Sequence, residues 1–485
     1  MCPYLSRSKR RVKEPRKQLK MSRFQLPNGL SPEARKYALQ ELARRAGVAG
    51  EFFRAWNIEV QAERTVVKLS DDIPQIIFQH ATEEDFARLL AGHFPVARAA
   101  WLAAPRETLL QEDIVLPFVH PSAATAPLFT RLEDGGFGCE HDLLLSTLFT
   151  LARAEELISP VSDAHGRFPA AASLATQHAF LERPIVDEYG LAFAQILRVL
   201  LPSWQPALMS LRINLTHDID TVGIPLQLRT AVAHTIKRRQ PAATLRDLIS
   251  CFTHEEGTEL RLVRALARIS SSRGLQSSFF WKASPPGPHD SGYDPMHPKV
   301  QRVIDDLRSQ GFVLGVHPGY DTFGDPARLR QEVAVLRQAL GSDRLGGRQH
   351  YLRWSPRTWL DWESCGLVYD SSLGFADAIG FRAGTSHPFR PWSFQENREL
   401  DLIEVPLVVM DCTPVKYMGL ARREGLERIR ACLQRTELVG GVFTLLWHNV
   451  PLIEPEYTGW YEAVLDMIPA GAKKFAVPDS PKILW

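Results

Sequence analysis

Short apolar runs alternate with longer amphipathic runs from Leu211 to the end of the chain, and this alternation constrains the fold more than any other feature. The apolar runs predict strands at 211–215, 278–281, 312–316, 367–369, 402–409 and 442–447. The amphipathic runs predict helices at 258–268, 298–309, 326–340 and 356–362. Strands that are buried on both faces have continuous apolar sequences, so the pattern predicts a parallel sheet covered by helices. We expect an α/β fold, a distorted (β/α) barrel, with an open doubly wound sheet as the alternative.

The preceding part of the chain has a different pattern. Helical runs at 32–46 and 141–157 are mixed with short strand-like runs at 66–69 and 75–78. We therefore predict a smaller α+β domain over 31–205, followed by the barrel over 206–485. No pattern in the smaller domain indicates a reaction.

The charge of the chain is concentrated at its start. The first twenty residues contain eight Lys or Arg and one Glu, and the other 465 residues carry 49 basic and 54 acidic side chains, a net charge of −5. This pattern predicts a disordered basic tail over 1–30, and we expect no specific nucleic-acid binding. The rest of the chain, with 45% apolar residues overall, has the composition of a globular protein.

Targeting signals and cysteine spacing also limit the function. No apolar stretch reaches the ~18 residues of a membrane-spanning helix, and the N-terminus does not have the pattern of a secretory signal. We therefore expect a cytoplasmic protein. The six cysteines form no CxxC pair, so we expect buried reduced thiols rather than a zinc ribbon or a disulfide framework.

Polar residues follow four of the predicted strands, at the carboxyl ends where parallel α/β folds place their sites. They lie in the segments THDID (216–220), HPGYD (317–321), RQHYLRW (348–354) and WHN (447–449). Asp218 and Asp220 share one face of an extended segment, so a cation or an arginine is needed to limit their repulsion. Gly346 and Gly347 precede the third segment and allow close backbone approach. The mixture of carboxylates and imidazoles is typical of a site for Zn²⁺ or a similar divalent ion.

The order of these segments, with YDSSLGFADAIGFRAGT (369–385) between the third and a final LWHN, resembles the five-motif layout of the polysaccharide deacetylase family. Members of this family are metal-dependent carbohydrate esterases that remove acetyl groups from N-acetylated sugars. The resemblance covers about 211–485. The earlier segments LLLSTLFTLARAEE, DAHGRF and LERPIVDEYG resemble the uncharacterised domain that precedes the deacetylase unit in one bacterial subgroup.

The resemblance implies a role for each matching residue. It makes Asp218 the general base, Asp220 a metal ligand, His317 the first metal histidine, Arg348 the arginine that orients the base, and His448 the general acid. It also places Asp370 and Arg382 near the groove without a step in the reaction.

One position departs from the family pattern. The family usually has a second metal histidine four residues after the first, where this chain has Asp321. We expect His350 to supply the missing imidazole. The alternatives are that Asp321 ligates through oxygen, or that the site is metal-poor and inactive.

The expected function is therefore a hydrolase of C–N bonds other than peptide bonds. It would use a divalent metal, with Zn²⁺ expected, to remove acetyl groups from N-acetylated sugar units of a polysaccharide or glycoconjugate. Two alternatives remain: an allantoinase-like hydrolase of a small cyclic amide, and a non-catalytic polysaccharide-assembly protein that has lost its metal. Four aromatic residues near the strand ends either stack on sugar rings or belong to the core: Trp281, Tyr320, Tyr351 and Trp354.

Overall fold

The computed structural model describes residues 29–105, 107–110, 112–119, 127–159, 161–207, 209–223 and 256–477. The predicted basic tail, apart from residues 29 and 30, lies outside these ranges, as do Cys2 and Cys251. Below, 29–207 is called the N-terminal part and 209–477 the C-terminal part.

The described N-terminal part combines helices with a mainly antiparallel sheet. The helices are α1 (Pro32–Arg45), α2 (Gly50–Arg54), α3 (Glu83–Leu90), α4 (Leu143–Leu151), α5 (Ala154–Ile158), α6 (Leu174–Gln177) and α7 (Ile185–Leu200). The strands are β1 (Asn57–Val60), β2 (Arg64–Lys68), β3 (Ile76–Gln79), β4 (Val96–Ala99), β5 (Ile114–Pro117), β6 (Thr130–Arg131) and β7 (Phe137–Cys139). Five of them form a sheet in the order β1-β2-β3-β7-β6, in which only β3 and β7 are parallel, and β4 pairs with β5.

The prediction of one long helix over 141–157 is wrong. The chain forms α4 and α5, and the break falls at Arg153, which has a left-handed backbone with φ of 55°. The buried guanidinium of Arg153 forms ion pairs with Glu155 and Glu156 and donates to the carbonyl of Arg382. These partners lie around the break, so tertiary contacts compensate for a backbone conformation that is costly for a non-glycine residue.

The described C-terminal part alternates strands and helices. The helices are α8 (Thr258–Ser272), α9 (Pro298–Ser309), α10 (Pro326–Leu340), α11 (Pro356–Ser364), α12 (Arg422–Leu438) and α13 (Trp460–Leu465). The strands are β8 (Arg212–Asp218), β9 (Ser277–Trp281), β10 (Val313–Val316), β11 (Tyr369–Asp370), β12 (Trp392–Ser393), β13 (Arg398–Glu399), β14 (Ile403–Glu404), β15 (Val409–Met410), β16 (Val442–Leu446) and β17 (Lys473–Lys474). The four helices that the sequence predicted here are present, with ends that differ by at most four residues.

Local sequence explains the ends of these helices, as α10 illustrates. The Asp325 side chain caps the first turn by accepting from the amide of Arg328, and Pro326 takes the first helical position. The helix ends at Gly341, which adopts φ of 60° at little cost because it has no Cβ.

A parallel sheet forms the centre of the C-terminal part. Its order is β10-β9-β8-β16-β15, and β17 also pairs with β8 in parallel. Every residue of β9 and β16 is buried, which agrees with their continuous apolar sequences. The fold is therefore mixed α/β, as predicted.

The predicted barrel is not formed as a closed ring of paired strands among the described residues. Strands β11 and β14 pair separately, and single parallel bridges through Gly347 connect β10 to β11. The run predicted as one strand over 402–409 forms only β14 and β15, with Pro406 between them. Proline has no backbone N–H to donate to a ladder, which explains the interruption.

Gly347 allows this edge of the sheet to form. A Cβ at position 347 would overlap the backbone of Val316, and a Cβ at Gly346 would overlap Tyr369. The close backbone approach that the two glycines predicted is therefore present, and it fixes the start of the segment that carries Arg348 and His350.

A buried polar network joins the N-terminal and C-terminal parts. The fully buried Arg45 of α1 forms ion pairs with Glu41 and, at 2.8 Å, with Asp187 of α7, and it donates to the Thr385 hydroxyl at 3.1 Å. Asp187 also accepts from the amide of Ser386 at 2.8 Å. We call Glu41, Arg45, Asp187, Thr385 and Ser386 the interface network.

The cysteine prediction is confirmed for the described residues. Cys139, Cys365, Cys412 and Cys432 are all buried, and none of them forms a disulfide in the described part of the chain. In the described ranges, no helix is long and apolar enough to cross a membrane.

Candidate active site

The residues singled out in the sequence meet at the carboxyl edge of the parallel sheet. Asp218 is the last residue of β8, and Asp220 lies two residues beyond it. His317 follows β10 directly, and His448 follows β16 by two residues. His350 begins a short 3₁₀ turn, His350–Leu352. Because parallel strands end at the same edge, side chains that are distant in sequence lie close together here.

Three of these residues form a compact cluster of donor atoms. One atom each of Asp220, His317 and His350 lies within 4.8 Å of the others. Asp220 Oδ1 is 3.3 Å from His317 Nε2 and 3.1 Å from His350 Nε2. The structure thus brings together the three residues that the sequence proposed as metal ligands, and we call them the donor cluster.

His317 is held as a neutral ring with its free nitrogen in the donor cluster. Its Nδ1 is 2.7 Å from the carbonyl oxygen of Arg348, which can only accept, so Nδ1 carries the proton. The buried Nε2 then presents a lone pair, and it has no hydrogen-bond partner among the described residues. Burial lowers the pKa of His317 below its usual value, which also favours the neutral form.

His350 is oriented by a carboxylate. Its Nδ1 lies 2.9 Å from Asp290 Oδ1, while its Nε2 faces Asp220. A carboxylate beside one ring nitrogen, with the other nitrogen directed towards the metal position, is the usual arrangement behind a metal-binding histidine. Asp290 itself is fixed by the amide of Tyr320, which donates to Oδ2 at 2.9 Å.

The donor cluster fits a divalent cation. The His317 lone pair and Asp220 Oδ1 are both acceptors, so a cation placed between them relieves their repulsion. Two imidazoles and one carboxylate form a donor set that suits Zn²⁺ and related ions. The residues that would hold the cation are therefore Asp220, His317 and His350.

Asp321, the alternative ligand, does not join the donor cluster. Its side chain is 72% exposed and lies 3.4 Å from Arg328 on α10. It belongs to a 3₁₀ turn, Tyr320–Thr322, that directs it to solvent.

Asp218 is held by a fully buried arginine. Arg348 Nη1 donates to Asp218 Oδ1 and to the Thr216 hydroxyl, each at 2.9 Å. The other guanidinium nitrogens donate at 2.9 Å to the carbonyl and hydroxyl oxygens of Ser371. These contacts fix the guanidinium of Arg348, which in turn orients Asp218 Oδ1. The other oxygen, Asp218 Oδ2, lies 3.6 Å from His317 Nδ1.

His448 forms a second acid–base pair beside the donor cluster. Its Nδ1 is 2.9 Å from Asp411 Oδ1, and its amide donates to Asp411 Oδ2 at 2.7 Å. Its Nε2 lies 3.7 Å from Asp220 Oδ2. Burial acts to lower the pKa of His448, but the Asp411 carboxylate outweighs burial and raises the pKa well above its usual value. The ring is therefore protonated at neutral pH, with Nε2–H directed towards the site.

Sequence reasoning missed three charged residues of the site. Lys282 Nζ lies 2.6 Å from Asp290 and 3.4 Å from Asp220, and its side chain is only 1% exposed. Lys282 comes directly after β9 and Asp411 directly after β15. The strand-end rule that identified His317 could have found both, whereas Asp290 lies in a Pro- and Gly-rich loop without a comparable signal.

The N-terminal part contributes a loop that contacts the segments carrying the site. Arg167 donates to the carbonyl of Tyr351 at 3.1 Å, and Arg353 donates to the carbonyl of His165 at 2.8 Å. His165 Nδ1 is also 3.2 Å from the Tyr320 hydroxyl. The loop therefore packs against the two segments that contain His317 and His350.

The four aromatic residues divide into two groups. Trp281 and Trp354 are buried in the core. Tyr320 is half-buried, but its ring stacks on His289 at 4.1 Å and lies under Arg353 at 4.0 Å. Tyr351 is buried with 9% exposure. Two of the four thus form core structure, and the ring of Tyr320 already has protein neighbours in His289 and Arg353.

The two further residues of the fourth motif are buried. Asp370 accepts from the amide of Ser372 at 2.9 Å, and burial raises its pKa to about 7. Arg382 forms a 2.6 Å ion pair with Glu156 of the N-terminal part and donates to the carbonyl of Gly374. Arg382 is therefore part of the contact between the N-terminal and C-terminal parts.

A scan against protein-family models gives one match. Residues 55–202 match a family described as "Family of unknown function (DUF7033)". The match covers less than a third of the chain and lies in the N-terminal part. No curated protein matches the sequence significantly.

Solved structures with weak similarity cover just over half of the chain. A protein of Mycobacterium smegmatis described as a polysaccharide deacetylase is 17% identical with a TM-score of 0.37, and the match covers 55% of this chain and 84% of that one. A Pseudomonas aeruginosa protein described in the same way is 14% identical with a TM-score of 0.33, covering 55% and 86%. Puue allantoinase is 11% identical with a TM-score of 0.37, covering 55% and 86%. Similarity at this level carries no argument about fold or function.

Proposed function

We propose that this protein is a divalent-metal-dependent hydrolase that removes acetyl groups from N-acetylated sugar units of a polysaccharide or glycoconjugate. The observation that carries the proposal is the unpaired Nε2 lone pair of His317 facing Asp220 and His350. The substrate class comes from the order of the sequence motifs. A cytoplasmic location remains a prediction.

Asp220, His317 and His350 would hold a divalent cation, which would supply Lewis-acid chemistry for the substrate carbonyl and the attacking water. Asp218, oriented by Arg348, takes the proton of the attacking water. His448, kept protonated by Asp411, gives a proton to the departing amine. A C–O bond forms, the amide C–N bond breaks, and acetate and the free amino sugar leave. Arg348 acts through Asp218 and is therefore a positioning residue.

The buried surroundings of these groups favour such a reaction. Asp218 and His317 are almost fully buried, so their electrostatic interactions are screened less than they would be in water. The side chain of Asp220 is 30% exposed, which leaves one side of the donor cluster open to solvent and substrate. The site is thus closed behind the donors and open in front of them.

The test measures bound metal and acetate release on the full chain. We expect the purified protein with Zn²⁺ to release acetate from N-acetylglucosamine oligomers and not to hydrolyse allantoin. His317→Ala should lose both the bound metal and the activity, whereas the exposed His93→Ala on the N-terminal part should retain both. Activity of His317→Ala equal to wild type would contradict the proposal, and hydrolysis of allantoin alone would replace the substrate class.

A further inference from the structure

A buried lysine lies against the atoms that would bind the cation. Lys282 Nζ is 2.9 Å from His350 Nδ1, 3.1 Å from His350 Nε2 and 3.4 Å from Asp220 Oδ1, and the last two are donor atoms of the cluster. The Lys282 side chain is 1% exposed, so its ammonium depends on protein groups for solvation. An ammonium in this position and a divalent cation interact with the same two atoms.

Asp290 provides a second place for the same ammonium. Asp290 Oδ1 is 2.6 Å from Lys282 Nζ, and the Asp290 side chain is 8% exposed. The amide of Tyr320 holds the other oxygen of Asp290, so this carboxylate is fixed behind the donor cluster. Lys282 thus touches two carboxylates, one inside the donor cluster and one outside it.

We propose that Lys282 competes with the divalent cation for Asp220 and His350, and that Asp290 holds the ammonium when the cation is bound. This inference rests on the proposed function, because it concerns regulation of the same site. When no cation is present, Lys282 neutralises Asp220. When a cation enters, it displaces Lys282 from Asp220, and the ion pair with Asp290 remains.

Charge balance is the physical reason for this arrangement. A buried carboxylate without a positive neighbour is strongly destabilising, so a metal site without its metal normally weakens the fold. Lys282 removes that cost from the metal-free protein. Repulsion between the ammonium and the bound cation then reduces cation affinity, because like charges a few ångströms apart repel strongly away from water. The expected result is a site that exchanges its cation readily.

The test is the affinity of the metal-free full-length protein for Zn²⁺. Lys282→Met removes the ammonium and keeps the aliphatic volume, so we expect Zn²⁺ affinity to rise by at least about tenfold. Lys299→Met on α9 is the matched control and should leave the affinity at the wild-type value. Equal affinities of Lys282→Met and wild type would overturn the inference.

Thermal unfolding gives a second, independent readout. Lys282→Met should lower the Tm of the metal-free protein, because Asp220 and Asp290 then lack their ammonium partner, and saturating Zn²⁺ should remove most of that difference. The double variant Lys282→Met with Asp290→Asn, which leaves fewer buried charges unpaired, should also bind Zn²⁺ more tightly than Asp290→Asn alone. The inference would be contradicted if the loss of Tm persisted in saturating Zn²⁺ and if Zn²⁺ affinity rose neither in Lys282→Met relative to wild type nor in the double variant relative to Asp290→Asn.

The outcomes separate this inference from the proposed function. If wild type binds Zn²⁺ and His317→Ala does not, but Lys282→Met binds no more tightly than wild type, the metal site stands and the competition is refuted. If neither wild type nor Lys282→Met binds Zn²⁺, both proposals fail. If only Lys282→Met binds Zn²⁺, competition is supported in its strongest form.

Discussion

Two buried regions of this molecule place an arginine against carboxylates, and they differ in how completely their polar atoms are satisfied. In the interface network, each nitrogen of the Arg45 guanidinium donates to a protein oxygen, and both oxygens of Asp187 accept. At the strand ends, Arg348 is equally well bonded, but the neighbouring His317 keeps an unpaired nitrogen.

This difference distinguishes structural polar groups from functional ones. A buried polar group without a partner costs stability, so such an atom persists where something else compensates. The interface network needs nothing further, which fits a role in joining the N-terminal and C-terminal parts. The donor cluster keeps one acceptor without a hydrogen-bond partner among the described residues, His317 Nε2, which fits a role in binding.

The largest expected effect comes from substituting His448, which alters the candidate active site and leaves the interface network unchanged. His448→Gln should lower kcat by about 10²- to 10⁴-fold, because the proposed general acid is lost. Metal content should stay near wild type, since His448 is not part of the donor cluster, whereas Tm should fall because the buried Asp411 carboxylate loses its cationic partner. Steady-state acetate release with metal analysis checks both, and loss of the metal would mean that His448 is a ligand.

The interface network should show the opposite behaviour when its arginine is removed. Arg45→Met leaves Asp187 buried without a counter-charge, while Glu41 keeps its ion pair with Arg44, so we expect the free energy of unfolding to fall by about 3–5 kcal/mol. Activity per folded molecule should remain near wild type. Urea unfolding and kcat measured at low temperature test this contrast, and a selective fall in kcat would show that the interface also shapes the site.

Asp411 sharpens the comparison because it sets the charge of His448. Asp411→Asn removes the carboxylate that raises the pKa of this histidine, so the ring loses its proton at a lower pH. If activity depends on the protonated ring, the activity of Asp411→Asn should begin to fall at a lower pH than that of wild type. At alkaline pH it should be about tenfold below wild type for each unit by which the pKa of His448 is lowered. A pH profile of kcat/KM is the measurement, and an unchanged alkaline limb would exclude His448 as the acid.

The last prediction concerns Asp370, a buried carboxyl group with an unpaired oxygen that lies outside the donor cluster. Its pKa is raised to about 7, mainly by burial, and Oδ2 has no hydrogen-bond partner among the described residues. A carboxyl group with a raised folded-state pKa binds protons more readily in the folded state, so stability should decrease as the pH rises from about 4 to about 7. Between pH 5 and pH 8 this decrease covers about two pH units below the folded-state pKa, so Asp370→Asn should remove up to about 2–3 kcal/mol of it in unfolding experiments at the two pH values. A wild-type stability that does not change over this range would contradict the assignment.

Strand-end positions made much of the site predictable from sequence. Asp220, His317 and His350 were identified because each lies near an apolar run or a glycine pair, and the structure brings them together. Lys282 was missed because lysine at the end of β9 was not considered a site residue, although its position was as informative as that of His317. Asp290 could not be found, because the contact between its loop and His350 depends on tertiary packing.

The fold was predictable to the level of the parallel sheet. The apolar run over 402–409 has the composition of one strand, but Pro406 divides it, and no closed ring of strands forms in the described ranges. The break at Arg153 could not be predicted because its partners include the carbonyl of Arg382, which lies far away in the sequence. A proline within the run therefore accounts for the first difference, and a long-range contact contributes to the second.

The missing side chain at position 347 also limits how the protein can vary. Any other amino acid there would force the chain away from Val316, and the displacement would pass to the guanidinium that holds Asp218 and to the imidazole two residues further on. The absence of a Cβ at Gly347 thus keeps Asp218, the proposed base, and His350, a proposed ligand, in position. A substitution at this position would impair both together.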